Sequence, residues 1–225
     1  MLNDIIFTHF IFPKIFFISN ISNNNFCNFK MKMKRAWQRM LSSRRLDILN
    51  PSPLDIEIED IAHGLSFLAR WNGQTIGDHP FSVAQHSLLV ENIFSSQFPK
   101  MDDKSKLFAL LHDSAEYVIS DMISPLKAQL GKTYESLDEK LTMAICIRFN
   151  IPTTIMKTIK RQVKIADKMA AWLEAIRLAG FSKQEADNLF GKQIIYENFE
   201  TYLLPDTPFI VRKKFVNRFY ELYNP

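Results

Sequence analysis

The chain has 225 residues, enough for one domain with an appendage, and its 47% hydrophobic and 23% charged residues match an ordinary globular composition. A net charge of +4 is too mild for an electrostatic nucleic-acid footprint, and the six glycines supply neither GxGxxG nor GxxxxGK(S/T). The two cysteines, Cys27 and Cys146, form no CxxC, so neither a disulfide framework nor a cysteine zinc site organises the fold, and a reducing, cytoplasmic setting suits them.

Residues 1–30 hold seven of the nineteen phenylalanines, no glycine and three charges, Asp4, Lys14 and Lys30. Their apolar part, IIFTHFIFPKIFFI, is broken by His9, Pro13 and Lys14. It is too interrupted for a spanning helix, and it lacks the positive start and small-residue cleavage site of a signal peptide. Composition changes abruptly at Met31. The expectation is that residues 1–32 are an N-terminal extension from an upstream start codon, with Met31 or Met33 as the natural start. The rival is a membrane-surface segment. Residues 33–225 read as one domain with no membrane partner.

From there the periodicity is helical nearly throughout. RAWQRMLSSRRLDIL predicts a short helix stopped by Pro51 and Pro53. LDIEIEDIAHGLSFLARW predicts another, with Ile58, Ile61, Leu65 and Leu68 on its apolar face. Ser82 is placed to cap a helix through VAQHSLLVENIF, and Ser105 one through LLHDSAEYVISD that Pro125 ends. YESLDEKLTMAICIRF follows, then the long IMKTIKRQVKIADKMAAWLEAIRLAG with Gly180 at its end. Ser182 begins a further helix and Pro208 a last one. Strands are scarce, so the fold class is all-α.

Three of these helices carry metal-ligand residue types in or beside their apolar stripes. Val83, His86, Val90 and Ile93 share a face. His112 and Asp113 flank the stripe Leu107, Leu111, Ala115, Val118 and Met122. Asp167 sits among Ile159, Val163, Ala166, Ala170 and Leu173. A buried carboxylate needs a cation or a proton. The spacing turns Lys164 and Lys168 away from Asp167, which leaves a metal as the partner that satisfies two imidazoles and two carboxylates together. Such a donor set suits Zn, Mn, Fe, Co or Ni, with Mg as a further candidate. Taken singly, His86 reads as an ordinary core histidine and Asp167 as a salt-bridge partner; their joint placement carries the metal reading. Glu116, four residues after His112 and three after Asp113, lies beside both on a helix. It is a candidate to activate water or protonate a leaving group, or else a plain surface carboxylate.

His86, His112-Asp113 and Asp167 resemble the H…HD…D pattern of HD-domain metal-dependent phosphohydrolases. Arg70-Trp71, HDSAE, Asp121, PLK at 125–127 and the Ala-Asp of KIADKMAAWLEA resemble the bacterial YfbR-like 5′-deoxynucleotidases. The resemblance covers about residues 55–180. It implies a compact HD-domain helical bundle with a central metal site formed by His86, His112, Asp113 and Asp167. No histidine follows residue 112, which implies one divalent ion rather than two.

The implied activity is hydrolysis of a small phosphorylated substrate, a deoxynucleoside 5′-monophosphate, by a homodimer. Glu116 and Asp121 are the catalytic candidates, with Asp121 either an acid or a contact to a sugar hydroxyl. Arg70 is a candidate phosphate clamp. Trp71 either walls the substrate or is a core aromatic, and Lys127 is either a second phosphate contact or simply exposed. His79, in GDHPFSVAQH, faces substrate, supports a ligand or has no role. His63 reads as structural. Two alternatives stay open: a hydrolase of another phosphorylated metabolite or nucleotide diester, and a metal-stabilised module that binds a nucleotide without turnover.

Overall fold

The structure, a computed structural model, describes residues 36–195 and 197–224, so the expectation for residues 1–32 lies outside the described residues. A short hairpin, β1 (Trp37–Arg39) and β2 (Arg45–Asp47), comes first. The helices are α1 (Ile58–Phe67), α2 (Val83–Gln97), α3 (Asp103–Leu110), α4 (Glu116–Ile119), α5 (Ser124–Leu130), α6 (Lys132–Arg148), α7 (Thr153–Arg177), α8 (Lys183–Phe190) and α9 (Pro208–Leu222). Short 3₁₀ turns occur at Pro53–Asp55, Arg70–Gly73 and Glu200–Tyr202. The chain is therefore an all-α bundle carrying one two-stranded ribbon among the described residues. No helix among them is long and apolar enough to cross a membrane.

Helix α2 is the axis of the bundle. It packs against α7, α3, α1 and α9. Most of its faces are buried, from Val83 through Glu91 and again at Ile93 and Phe94. A helix enclosed on most sides normally reads apolar all round. Here Gln85, His86, Ser87 and Glu91 are buried too, and three of them find partners on other segments. Gln85 donates to the Leu204 carbonyl and accepts from the Asp206 amide, at 2.8 and 3.1 Å. Glu91 accepts two 2.8 Å hydrogen bonds from the Arg218 guanidinium on α9. His86 turns to Glu174 on α7.

The start signals read from the sequence hold at α2, α8 and α9. Ser82 accepts from the Gln85 amide, Ser182 forms a capping box with Glu185, and Pro208 occupies the first turn of α9. The long helix α7 ends at Arg177, and Gly180, at φ 77°, reverses the chain just beyond it. The stripe Ile159, Val163, Ala166, Ala170 and Leu173 is buried as its spacing requires.

Three local expectations need correction. Within the expected helix RAWQRMLSSRRLDIL, Trp37–Asp47 form the hairpin, not a helix. Leu46 is fully buried between exposed Arg45 and Asp47, a period of two, and Ser43 takes a left-handed φ of 69° in the turn. Asp60 on α1 anchors that turn by accepting from the Ser42 amide and hydroxyl, at 3.0 and 2.5 Å. Second, the helix bearing the HD pair is capped by Asp102, whose side chain accepts from the Ser105 amide, so Ser105 is inside the cap. Third, that helix is broken rather than continuous. It stops at Leu110 and resumes at Glu116, and Pro125 begins α5 instead of ending its predecessor, because proline fits a first helical turn. The chain leaves α4 through Ser120 at φ 67°.

Helices α1 and α4 approach closely at Gly64, where an added Cβ would lie 2.9 Å from Tyr117 Cβ. Gly64→Ala should therefore lower the unfolding free energy by about 1–3 kcal/mol, the usual cost of overpacking, as measured by denaturant titration. An unchanged midpoint would show that the two helices can separate freely.

Candidate metal centre

The break between α3 and α4 positions the HD pair. Residues 111–115 are tight turns, with i→i−3 hydrogen bonds from Ser114 to Leu111 and from Glu116 to Asp113, each 3.0 Å. His112 Nδ1–H donates to the Ala109 carbonyl at 2.9 Å. A carbonyl only accepts, so this bond fixes the tautomer and leaves the Nε2 lone pair free. His86 repeats the device. Its Nδ1–H donates to Glu174 Oε1 at 2.6 Å, which again leaves Nε2 bare.

The two Nε2 atoms are buried and neither has a hydrogen-bond partner. They face carboxylates across short gaps. His86 Nε2 lies 3.4 Å from Asp113 Oδ2 and 3.3 Å from Asp167 Oδ1. His112 Nε2 lies 3.2 Å from Asp113 Oδ2. The ligand atoms of His86, His112 and Asp167 all lie within 4.8 Å of one another, and this cluster could hold a metal ion. Donors about 2.0–2.2 Å from a common tetrahedral centre stand roughly 3.3–3.6 Å apart, and the three nitrogen–carboxylate gaps of 3.2–3.4 Å are close to that. Two orphaned imidazole nitrogens opposite two carboxylates are the donor set that such an ion requires.

Electrostatics agree with a cation-shaped gap. Burial would raise the Asp113 and Asp167 carboxyls, but the facing imidazoles outweigh it and hold both well below the usual carboxylate range. Burial and Arg70 push the His86 imidazole down, yet Glu174, Asp113 and Asp167 outweigh them and hold it well above its ordinary value. Lys164 does not point away as its spacing suggested. Its long, exposed chain reaches Asp167 Oδ2 at 2.5 Å, leaving Oδ1 for the cluster.

Around this cluster sit most of the other residues singled out above. Glu116 is 3% exposed; one oxygen accepts from Lys127 Nζ at 2.9 Å, and the other is buried without a partner. Burial, with Asp113 and Asp121 nearby, pushes its carboxyl up to about 8 despite Lys127. Asp121 lies in the loop after α4, its Oδ2 3.7 Å from Arg70 Nη1. Arg70 Nη1 also faces Asp113 at 3.9 Å, and its Nε donates to Glu174 at 2.9 Å. Trp71 donates its indole N–H to the same Glu174 oxygen at 2.9 Å, and its ring packs against Phe181 and Phe190. Lys127 spans Glu116 and the Tyr134 ring, 5.7 Å from its centroid, with its side chain 36% exposed. His79 is half-buried in the loop before α2, and none of the hydrogen bonds or ion pairs among the described residues involves it. His63 packs on Phe67 and meets Arg212 on the α1–α9 side.

Sequence reasoning missed Glu174. It is fully buried and binds His86, Arg70 and Trp71 at once. The signal was present: it stands two helical turns after Asp167, an acid inside the apolar run AAWLEA.

No protein-family model matches the chain. An uncharacterized protein of Rhodobacter capsulatus is 59% identical over 160 residues, which cover 71% of this chain and 82% of the relative. The chain belongs to the family of that protein. At such identity the two share a fold.

Adding a divalent ion such as Mn²⁺ or Co²⁺ to the metal-stripped chain should raise its melting temperature, because a ligand at a hundredfold excess over Kd stabilises the native state by about 2.7 kcal/mol. His112→Ala and Asp167→Ala should each abolish the shift. The shift should also shrink as pH falls, since protons compete for His86. Thermal denaturation at several pH values checks all three, and a shift that survives in both variants would place the ion elsewhere.

Proposed function

We propose that this protein is a metal-dependent phosphomonoesterase acting on deoxynucleoside 5′-monophosphates, with His86, His112, Asp113 and Asp167 holding one divalent ion. The observation that carries the reading is the pair of buried, partnerless Nε2 atoms facing two carboxylates. A bound divalent ion supplies Lewis acidity, making water a competent nucleophile and offsetting phosphoryl charge.

The protein's own groups would do the rest. Glu116, with a carboxyl near 8 and an unpartnered oxygen, is suited to exchange a proton near neutral pH, either with the attacking water or with the leaving sugar oxygen. Arg70 has Nε tied to Glu174 while Nη1 stays close to Asp113 and Asp121, so its fork is already oriented and less freedom is lost when it grips a phosphate. Lys127, hydrogen-bonded to Glu116, would add positive charge beside that acid. Asp121, 3.7 Å from Arg70, would accept from a sugar hydroxyl. The substrate class rests on the resemblance of Arg70-Trp71, HDSAE, Asp121 and PLK to the YfbR-like enzymes.

Retention of both Glu116 and Asp121 favours turnover over a binding module, which has no need of a buried acid with a raised pKa. Phosphate release from 5′- and 3′-nucleoside monophosphates, ribo and deoxy, after chelation and metal return should be confined to the 5′-deoxy series. Release from a different phosphorylated compound would move the substrate while keeping the chemistry. Glu116→Gln should cut kcat at least about 100-fold while metal content stays at wild-type level, in line with the usual worth of a general acid or base. Normal turnover in that variant would remove Glu116 from the mechanism.

A further inference from the structure

Residues Arg70–Gly73 form an unusual turn. Trp71 and Asn72 take left-handed φ values of 55° and 50°, and Gly73 follows at 73°. Consecutive non-glycine residues in that region are strained and persist only where surrounding bonds fix them. Here the turn is clamped by backbone bonds from Arg70 N to the Phe81 carbonyl and from Val83 N to the Leu68 carbonyl, both 2.9 Å. The Trp71 ring is wedged against Phe181 and Phe190. Two side-chain donors of the turn, Arg70 Nε and Trp71 Nε1, both end on Glu174 Oε2 at 2.9 Å.

The other oxygen of Glu174 holds His86 Nδ1. One fully buried carboxylate thus divides its two oxygens between the strained turn and a histidine of the cluster. We propose that Glu174 is a positioning residue that couples the metal centre to the Arg70–Gly73 turn, so that the rotamer which presents His86 Nε2 to the ion also sets the turn that presents Arg70 to the substrate. The proposal rests on the metal reading of the cluster.

The physical basis is acceptor geometry. An ionised carboxylate only accepts, so it demands Nδ1–H from His86 and N–H from Arg70 and Trp71 simultaneously. Glutamine has the same shape but one donor end. If its NH₂ faces His86, the ring must place its proton on Nε2, where the lone pair is needed. If its NH₂ faces the turn, it meets two donors and the turn is released. Either way one side of the coupling fails, and carboxylates that orient ligand histidines typically account for 10- to 100-fold in metal affinity.

The test is Co²⁺ titration of the full-length, metal-stripped chain, read by visible absorption and chelator competition, for the wild type, E174Q and W71F. Phenylalanine keeps an aromatic ring in the wedge and removes the indole N–H together with part of the bicycle; Glu174 stands between Trp71 and the cluster. E174Q should weaken Co²⁺ binding about 10- to 100-fold. W71F should weaken it about three- to tenfold, and W71F should have no further effect in the E174Q chain, as coupled sites require. If E174Q does not fold, the W71F shift alone decides. A wild-type chain that takes up no Co²⁺ overturns the metal reading and this proposal with it. A wild type that binds Co²⁺ while W71F binds it equally well overturns the coupling and leaves the metal reading intact.

Discussion

The structure depends on satisfying polar groups along a buried helix. α2 runs through the middle of the bundle, and three of its buried side chains, Gln85, His86 and Glu91, reach different distant segments. A buried polar group without a partner costs about 1–3 kcal/mol, and more when charged. The ties from Gln85 to the loop at Leu204–Asp206, from His86 to α7 and from Glu91 to α9 are therefore constraints on where those elements can lie. Hydrophobic burial makes the bundle compact, and these three ties set its register.

The same constraint explains why a titratable cluster is tolerated at the centre. Helices α2 and α7 and the broken α3–α4 segment each bring one or two ligand-type groups to a common point. Each histidine spends Nδ1 on a fixed acceptor and leaves Nε2 over. What remains is an array whose surplus is two lone pairs and two negative charges. A divalent ion would relieve that surplus. The Glu116 carboxyl, raised by burial, and the Arg70 fork, held charged against burial by Glu174, belong to the same charge system, since Asp113 and Asp121 act on both.

Much of this was legible in the sequence. Helical periodicity located α1, α2, α6, α7, α8 and α9, Ser82 and Ser182 marked the starts of α2 and α8, and Pro208 marked that of α9. The order His86, His112-Asp113, Asp167 pointed to residues that the fold brings within a few ångströms. What escaped reading was local geometry. The Ser42–Ser43 turn converts an apparently helical stretch into a ribbon, because a single buried Leu46 between two exposed charges carries too little signal to define a period. The break at residues 111–115 is invisible to a 3.6-residue pattern, since tight turns keep the apolar positions nearly in phase. Lys164 reached Asp167 because a four-carbon stem ignores a quarter-turn of helix. Glu174 was hidden for a different reason. Its partners Arg70 and Trp71 lie more than a hundred residues away, and nothing in a one-dimensional pattern links them.

The central claim is that the four groups His86, His112, Asp113 and Asp167 share one ion. Anomalous diffraction from crystals of the full chain grown with Mn²⁺ or Co²⁺, recorded on both sides of the metal edge, tests it most directly. The account predicts a single strong peak about 2.0–2.2 Å from both Nε2 atoms and from an oxygen of each carboxylate. A peak elsewhere, or none between the two histidines, would contradict it.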